Sequence, residues 1–369
     1  MVNAPFSSLS ERAQFVCGKV RKVRWAIGVD RTTAPDTFAT GTWDQPVNDV
    51  SLWSTTASRS AAFDSSASPP PAGDTFVQLS RFEIGADCED LVFATSKTLL
   101  VATSSGDVRV LDVTPDQIVQ QHAWEQLHSL GSLPCAASCL SVHGTDVVTG
   151  GEDGKIIRLD FNRVDVKTKI GNIGLSSVRS LSHCGKDQVI SGHLTGQLQV
   201  WDLRVKGDRE GGDPCQTLAA STALDAVTSL GVHPAQPNLV AFGTQLGSVG
   251  FCDIRNAHRP LPDLLPIASG PIWEIAFHPL YPDNCFTCAD DGTLLHWDAA
   301  ALKQSSFRSQ DASRMNVWLL GAALSDHVKL TNLLPDQKLP VNSVDLAGGS
   351  VLVGSDSELV HLVENVLLR

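Results

Sequence analysis

The sequence has no apolar run of the roughly 18 residues that a membrane-spanning helix requires. Its start, from Met1 to Ser10, lacks the basic residues and apolar core of a secretory leader. The nine cysteines are odd in number and scattered, which favours reduced thiols over a disulfide framework. These absences predict a soluble protein of the cytosol or the nucleus.

Basic residues are also few. Lys and Arg number 28 against 40 Asp and Glu, so the net charge is -12. Such a chain is repelled by phosphate backbones and anionic membranes, and we expect neither direct nucleic-acid binding nor membrane insertion. A hydrophobic fraction of 42% with 18% charged residues excludes disorder of the whole chain. The 369 residues allow two to three ordinary domains or one large repeat fold.

Motifs of catalysis are missing as well. There is no G-x-S-x-G elbow, P-loop, G-x-G-x-x-G fingerprint or H-E-x-x-H helix. Two groups have ligand-like spacing, namely Cys285 with Cys288, and Cys135 with Cys139 and His143. Neither has a partner set that would complete a zinc site. We therefore predict no catalytic residue, no cofactor and no metal, and hence a protein that is not an enzyme.

What the sequence does have is an internal repeat. Five glycines recur 42 to 51 residues apart, close to the period of a four-stranded propeller blade. Each has an aspartate six residues later and a small residue four residues earlier. We interpret each glycine as a tight turn and each small residue as a crowded strand position near the axis. The glycines are Gly106, Gly154, Gly196, Gly247 and Gly292; the aspartates are Asp112, Asp160, Asp202, Asp253 and Asp298; the small residues are Ala102, Gly150, Gly192, Gly243 and Cys288.

Two weaker copies flank these five. One spans Thr37 to Trp53 and the other Ser350 to Leu362, each with two alternating segments around a turn. Seven copies predict an all-β fold, a seven-bladed β-propeller with four-stranded antiparallel blades that closes near the two termini. We expect one domain over residues 15–369, preceded by a flexible N-terminus at 1–14. Within it, Ile272 to Pro279 and Val227 to Pro234 alternate like strands and then break at proline. His233 and His278, at these strand ends, and His296 are expected to be structural.

Three insertions interrupt the repeat, at 54–74, 206–214 and 299–326. The first two are rich in Ser, Pro or Gly and are typical of loops. The third contains an apolar patch, which predicts either an extra strand or short helix packed on the last blade or a partner contact. The candidate partner-binding residues are Met315, Val317, Trp318 and Leu319.

The N-terminal segment from Phe15 to Trp25 carries a basic stretch at 19–24. Its alternation with Val20 and Val23 favours an exposed strand with a solvated edge over a localisation signal or a nucleic-acid contact. We expect this strand to help close the ring.

Trp201-Asp202 and Trp297-Asp298, each at the end of an alternating strand, resemble the signature of WD40 repeats. A narrower resemblance is to the forty-three-kilodalton WD40 nucleoporin family, and it runs in matching order from about Phe15 to the C-terminus. It is weak in the insertions 54–74 and 299–326. The motifs that carry it are Thr37 to Asp44, Ser51 to Trp53, Phe277 to Pro279, Cys285 to Cys288, Asp291-Gly292, His296 to Ala299, Leu333 to Pro335, Val341 to Ser343 and Gly354 to Asp356.

This resemblance implies a non-catalytic scaffold subunit of the nuclear pore complex, located in the nucleus at the nuclear envelope. The implied partners are nucleoporins of the Y-shaped outer ring, including an α-solenoid subunit, with this chain as a monomer in a hetero-oligomeric complex. The implied roles are transport of protein and mRNA and, in animals, kinetochore function in mitosis. One alternative stays open. Trp201 to Arg204 resembles the adaptor-docking W-D-x-R box of substrate receptors of cullin-type ubiquitin ligases, and Cys252 to Arg255 echoes it.

Overall fold

The described part of the chain is almost entirely β-structure. In this computed structural model the described residues are 9–28, 32–56, 76–163, 165–170, 176–204, 212–221, 223–255, 262–300, 316–320, 324 and 328–369. The strands are β1 (Ser10–Phe15), β2 (Val20–Trp25), β3 (Thr37–Thr42), β4 (Asp49–Ser54), β5 (Val77–Glu83), β6 (Cys88–Phe93), β7 (Thr98–Thr103), β8 (Val108–Val113), β9 (Ile118–Trp124), β10 (Ser129–Leu130), β11 (Leu133–Pro134), β12 (Ala137–His143), β13 (Asp146–Gly151), β14 (Ile156–Asp160), β15 (Asp165–Ile170), β16 (Val178–His183), β17 (Gln188–His193), β18 (Gln197–Asp202), β19 (Gln216–Ala219), β20 (Val227–His233), β21 (Gln236–Thr244), β22 (Ser248–Asp253), β23 (Leu265–Pro266), β24 (Ile272–Phe277), β25 (Asn284–Ala289), β26 (Leu294–Asp298), β27 (Lys329–Asn332), β28 (Val341–Ala347), β29 (Ser350–Ser355) and β30 (Leu359–Glu364). A 3₁₀ turn covers Val317–Leu319.

These strands form seven four-stranded antiparallel sheets, which confirms the predicted seven-bladed propeller. Blades 1 to 6 each take four strands in chain order from the inside outwards. The first strand of every blade contacts the first strands of its two neighbours, so the inner strands form a closed ring. The small hairpin β10–β11 lies between the second and third blades. In order, the blades are β2–β5, β6–β9, β12–β15, β16–β19, β20–β23, β24–β27, and β28–β30 with β1.

The N-terminal strand β1 supplies the outer strand of blade 7. It pairs antiparallel with β30, from Ser10 opposite Glu364 to Phe15 opposite Leu359. Arg12 Nη2 donates to Glu364 Oε1 at 3.0 Å across this pair. The predicted domain start at residue 15 is therefore wrong, because the propeller already includes Ser10. Local sequence gave no sign of a partner about 350 positions away.

The predicted turn glycines adopt the backbone that the repeat pattern required. All five have positive φ, between 74° and 87°, where side chains other than glycine are strained. At Gly247 a Cβ would also meet the backbone oxygen of Ala268 at 2.1 Å. In blade 7 the same turn position is occupied by Glu358, with φ of 61°.

The column of small residues is crowded, as predicted, by side chains of the inner strands near the axis. A Cβ on Gly192 would lie 2.5 Å from Val227 Cγ1, and one on Gly243 would lie 2.5 Å from Ile272 Cβ. In both cases the neighbour belongs to the inner strand of the next blade. The small residues thus allow adjacent blades to approach each other closely.

The hydrophobic core lies between successive blades. One cluster joins Ile190 and Val200 of blade 4 to Val227, Val240 and Phe242 of blade 5. Phe242 is fully buried, and burial of a side chain of this kind contributes roughly 1.5–3 kcal/mol. Because each interface takes residues from two blades, the ring folds as one continuous packed unit.

Candidate functional site

The basic stretch that was predicted to form a solvated edge lies at the axis of the ring. β2 is the inner strand of blade 1, with Val20, Val23 and Trp25 buried. Lys22 and Arg24 alternate with these residues and reach past the inner strand of blade 7 to Glu274 on β24 of blade 6. The prediction of an exposed strand from Phe15 to Trp25 is wrong. Phe15 ends β1, residues 16–19 form a connection, and β2 begins at Val20. Alternation alone cannot distinguish a solvated face from a face that lines a polar channel.

Arg24 and Glu274 are the centre of this axial cluster. Arg24 Nη2 donates to Glu274 Oε1 at 2.6 Å, and their side chains are only 17% and 15% exposed. Ser343, on the inner strand of blade 7, links them by accepting from Arg24 Nη1 at 3.0 Å and donating to Glu274 Oε2 at 2.7 Å. Burial opposes ionisation of Glu274, but Arg24 and Lys22 outweigh it and lower its pKa to about 2.

Carboxylates also join neighbouring inner strands by accepting backbone hydrogen bonds. Asp90 on β6 accepts from the amide of Leu140 in blade 3 at 2.8 Å, and its other oxygen lies 3.6 Å from Arg24 Nη2. Asp345 on β28 accepts from the amide of Trp25 at 2.7 Å. Burial raises the pKa of Asp345 to about 6, against the opposing effect of Arg24. The axial charges therefore bind inner strands to one another.

A second cluster at the inner strands places the guanidinium of Arg21 against two tryptophan rings. The Arg21 guanidinium lies 5.2 Å from the ring centroids of both Trp43 and Trp273, which come from blades 1 and 6. Arg21 Nη2 also donates to Glu89 Oε2 at 3.4 Å. Arg21, Glu89 and Trp273 line a polar cavity of about 350 Å³. The arginine is engaged by three neighbours, so this arrangement is typical of a structural clamp.

The apolar segment at 316–320 packs on blade 5. Trp318 is 3% exposed and stacks on Phe251 with ring centroids 5.0 Å apart, while Phe277 meets it edge-on at 5.3 Å. Asn316 begins the 3₁₀ turn by accepting from the Trp318 amide at 3.1 Å. The outer strand β23 pairs with β22 at Ser248 and Val249. The segment 316–320 covers the part of β22 that follows these two residues.

Of the four predicted partner-binding residues, Met315 lies outside the described residues. Trp318 faces the protein's own core, and Val317 and Leu319 are half-buried against the same cluster. The structure has a short packed turn, which was one of the two alternatives predicted from the sequence, but it packs on blade 5 and not on the last blade. A partner contact at Val317 and Leu319 stays a prediction.

The two tryptophans of the WD signature share a role with Trp53 of blade 1. In blades 1, 4 and 6 an indole N–H on the third strand donates to a hydroxyl on the second strand. These pairs are Trp53 with Thr40 at 2.9 Å, Trp201 with Ser191 at 2.8 Å and Trp297 with Thr287 at 3.1 Å. Each buried indole thereby gains a hydrogen-bond partner, which fixes the packing of two strands.

The chain is 30% identical to the mouse protein named Nucleoporin Nup43, over 96% of this chain and 98% of that protein. It is 28% identical to the human Nucleoporin Nup43 over the same shares. The Dictyostelium discoideum protein named Nuclear pore complex protein nup43 is 26% identical over 41% of this chain and 34% of its own length. No family model matches the chain.

The chain belongs to the Nup43 nucleoporin family. The two mammalian members match it along nearly their full lengths. The narrower resemblance identified from the first-blade and last-blade motifs is confirmed.

The ligand-like residues of this Nup43-family chain lie in structural positions. Cys285 and Cys288 are fully buried, in two different clusters between blades, and burial raises the pKa of both thiols. Within the described ranges, His, Cys, Asp and Glu nowhere assemble in threes as a metal ion would need. Nor does any helix there have the length and apolar character for a membrane crossing.

The histidines bond to the backbone or to neighbouring polar side chains. His278 Nε2 lies 2.8 Å from the Gly348 oxygen, and its Nδ1 accepts from the Tyr281 amide at 3.0 Å. His296 Nε2 lies 2.9 Å from Asn284 Oδ1. Burial lowers the pKa of His296 to about 4, so its ring is neutral at physiological pH. These arrangements fit the structural role predicted for them.

The W-D-x-R box ends a third strand. Arg204 is 68% exposed and donates to Asp202, and this hydrogen bond lowers the pKa of that carboxyl to about 2. Arg255 and Asp253 repeat the same pair in blade 5. Asp202 and Asp253, two of the recurring aspartates, also accept a hydrogen bond from the backbone amide two residues later. Repetition in two blades is typical of a turn cap, and ligase-adaptor docking stays a hypothesis.

Proposed function

We propose that this chain is a structural subunit of the nuclear pore complex, a scaffold rather than a catalyst. The observation that carries this proposal is the match to two proteins named Nucleoporin Nup43 across 96% of the chain. A propeller tied together at its axis by Arg24, Glu274 and Ser343 presents loops on a rigid frame. Such a frame suits the holding of large partners.

Its partners are the nucleoporins of the Y-shaped outer ring, among them an α-solenoid subunit, and it is a monomer within that hetero-oligomeric complex. In this role it supports the transport of protein and mRNA through the pore. Its location is the nucleus, at the nuclear pores of the envelope, and in animals also the kinetochores in mitosis. Several weak contacts within one assembly would give firm attachment.

Live imaging of the chain fused to a fluorescent protein at its own locus tests the location. The proposal expects a punctate nuclear rim in interphase that coincides with a pore marker. Diffuse cytosolic fluorescence with no rim would contradict it. A separate image series through mitosis tests the kinetochore role, which fails if no signal coincides with a centromere marker.

A further inference from the structure

Five exposed leucines lie on one face of the ring. In an antiparallel blade, the turns between the second and third strands and the loops to the next blade lie at the same end of the sheet. The leucines belong to those connections in and around blades 3 to 5. They are Leu130 (51% exposed), Leu133 (69%), Leu194 (52%), Leu224 (68%) and Leu246 (70%). We call this set the leucine arc.

Hydrogen bonds join the loops of the leucine arc into one continuous chain. The Ser129 amide donates to Asp153 at 2.9 Å, and Ser177 Oγ donates to the Glu152 oxygen at 2.8 Å. The Leu194 amide then donates to the Ser177 oxygen at 3.0 Å. The arc is therefore held on fixed loops between blade 2 and blade 4.

The series of contacts between neighbouring loops continues into blade 5. The Ala220 amide donates to the Gly196 oxygen at 2.9 Å, and a Cβ on Gly196 would lie 2.9 Å from the Leu224 carbonyl carbon. The Leu246 amide donates to Asp225 Oδ1 at 3.2 Å. Since Leu194, Leu224 and Leu246 lie on loops that contact in series, they form one surface.

Leu224 is unusual in two independent ways. Its φ of 53° lies in the left-handed region, where glycine or asparagine is favoured over a bulky side chain. Its side chain is also mostly exposed to solvent, so it adds little to the core. Backbone strain at an exposed apolar residue is typical of a binding position rather than of a folding requirement.

The loops of the leucine arc are acidic. Within residues 125–136, 152–155, 176–177, 194–197, 223–226 and 245–248, the acidic residues are Glu125, Glu152, Asp153 and Asp225. The one Lys or Arg in these ranges is Lys155, whose amine is already paired with Asp153 at 2.9 Å. Glu125 and Glu152 are exposed, although Glu152 lies 3.5 Å from Arg179 of the neighbouring strand. With Arg179 included, four acidic residues stand against two basic ones, so the loops keep a negative charge and a basic partner would be favoured.

We propose that the leucine arc is the docking surface for a basic amphipathic α-helix of a protein partner. The amides of Leu194 and Leu246 are bonded within the chain, so the arc offers side chains rather than an open strand edge. A helix satisfies its own backbone and presents leucine-type residues with flanking Lys or Arg. The inference rests on the proposed docking role and names the surface and the partner chemistry for it.

A peptide titration tests the surface directly. The probe is a fluorescent amphipathic peptide of about 18 leucine and lysine residues, with leucines at helical spacing, titrated with the full chain. The expected result is saturable binding that weakens at least about tenfold when Leu194→Ser and Leu224→Ser are combined. The matched control combines Leu280→Ser and Leu367→Ser, which lie at the opposite face and should leave the affinity unchanged. Equal affinity for all three proteins would overturn the proposal.

Two further measurements test whether the leucine arc binds an acidic helix or a second copy of this chain instead. A peptide of the same pattern with glutamate in place of lysine should bind at least about tenfold more weakly than the lysine peptide, because the loops of the leucine arc are acidic. Equal binding of the two peptides would overturn the proposal of a basic partner. Sedimentation of the unmodified chain should give a monomer. A dimer that Leu194→Ser with Leu224→Ser dissolves would assign the arc to a second copy and overturn the proposal.

Fluorescence at the nuclear rim distinguishes a failure of this inference from a failure of the proposed function on which it rests. The arc variant should lose rim fluorescence while the Leu280→Ser and Leu367→Ser control keeps it. A rim unchanged in the arc variant would overturn the arc and leave the pore proposal standing. If the unmodified chain has no rim signal, the pore proposal fails, and the peptide titration still decides the arc.

Discussion

Arg24 of blade 1 donates to Glu274 of blade 6 at 2.6 Å, across the inner strand of blade 7. Ser343 of that strand is bonded to both side chains. Three blades therefore share one cluster at the place where the beginning and the end of the chain meet. The pair of β1 with β30 closes the outer rim of the same seam.

Replacing Glu274 tests the axial cluster through pH. The pKa of Glu274 is lowered to about 2 in the folded protein, so its stabilisation is present above the ordinary carboxyl pKa and is lost as pH falls towards 2. Glu274→Gln should therefore lower the free energy of unfolding by about 3 kcal/mol at pH 7, and by progressively less below pH of about 4.5. Urea unfolding over that pH range measures the difference.

The control for this pH series is Glu83→Gln, at the exposed end of β5, which should change stability little at any pH. The contribution of Asp345 to stability depends on pH in the opposite direction. Because its pKa is raised to about 6, this contribution is complete at low pH and is lost as pH rises through that value. Glu274 contributes to that raised pKa, so the contribution of Asp345 does not cancel, and the two proteins are compared at pH 7 and at pH 3, on either side of its titration. A difference for Glu274→Gln that is constant from pH 7 to pH 3 would contradict the ion-pair account.

Trp318 is expected to stabilise the propeller itself. Trp318→Ala removes an indole packed against Phe251 and Phe277, and such a truncation costs about 3–5 kcal/mol. Thermal and urea unfolding measure the loss, with the exposed Leu330→Ala as the matched control. If Trp318→Ala left stability unchanged and only weakened partner binding, the segment would be a docking element.

Glu358 occupies a turn position that glycine fills in five other blades. At its φ of 61° a residue with Cβ is strained by roughly 1–2 kcal/mol relative to glycine. Glu358→Gly should therefore raise the free energy of unfolding by about 1 kcal/mol. Glu358→Ala separates the backbone effect from loss of the carboxylate and should give no such gain; a gain of the same size in both variants would contradict the strain account.

Deleting the N-terminal strand tests ring closure. Removal of residues 1–15 takes away β1 with the Arg12 to Glu364 ion pair and leaves β30 as an exposed edge. The midpoint of thermal unfolding should fall and self-association should rise, as measured by calorimetry and light scattering. Removal of residues 1–8, which ends before the strand, should have no such effect. Identical midpoints for the two deletions would contradict closure by β1.

The sequence predicted the features that depend on local backbone chemistry. The positive φ of Gly106 to Gly292, the aspartates at third-strand ends and the seven copies follow from short motifs that recur along the chain. Repetition made these motifs visible, because each blade needs the same turn and the same close approach.

The features that the sequence did not predict join residues far apart in the chain. Ser10 pairs with Glu364, and Lys22 and Arg24 pair with Glu274, yet nothing near these residues identifies the partner. The basic stretch alternates with valines in the same way on a solvated edge and in a polar channel. The apolar patch around Trp318 predicted packing as one outcome, but only the structure identifies Phe251 as its neighbour.

Quantitative affinity purification tests the central claim most directly. The chain, tagged at its own locus, is isolated under mild conditions and its companions are measured by mass spectrometry against an untagged control. The account predicts outer-ring nucleoporins at near-equal amounts, an α-solenoid subunit among them. Recovery of cullin-ligase adaptors in their place, or of the chain alone, would contradict it.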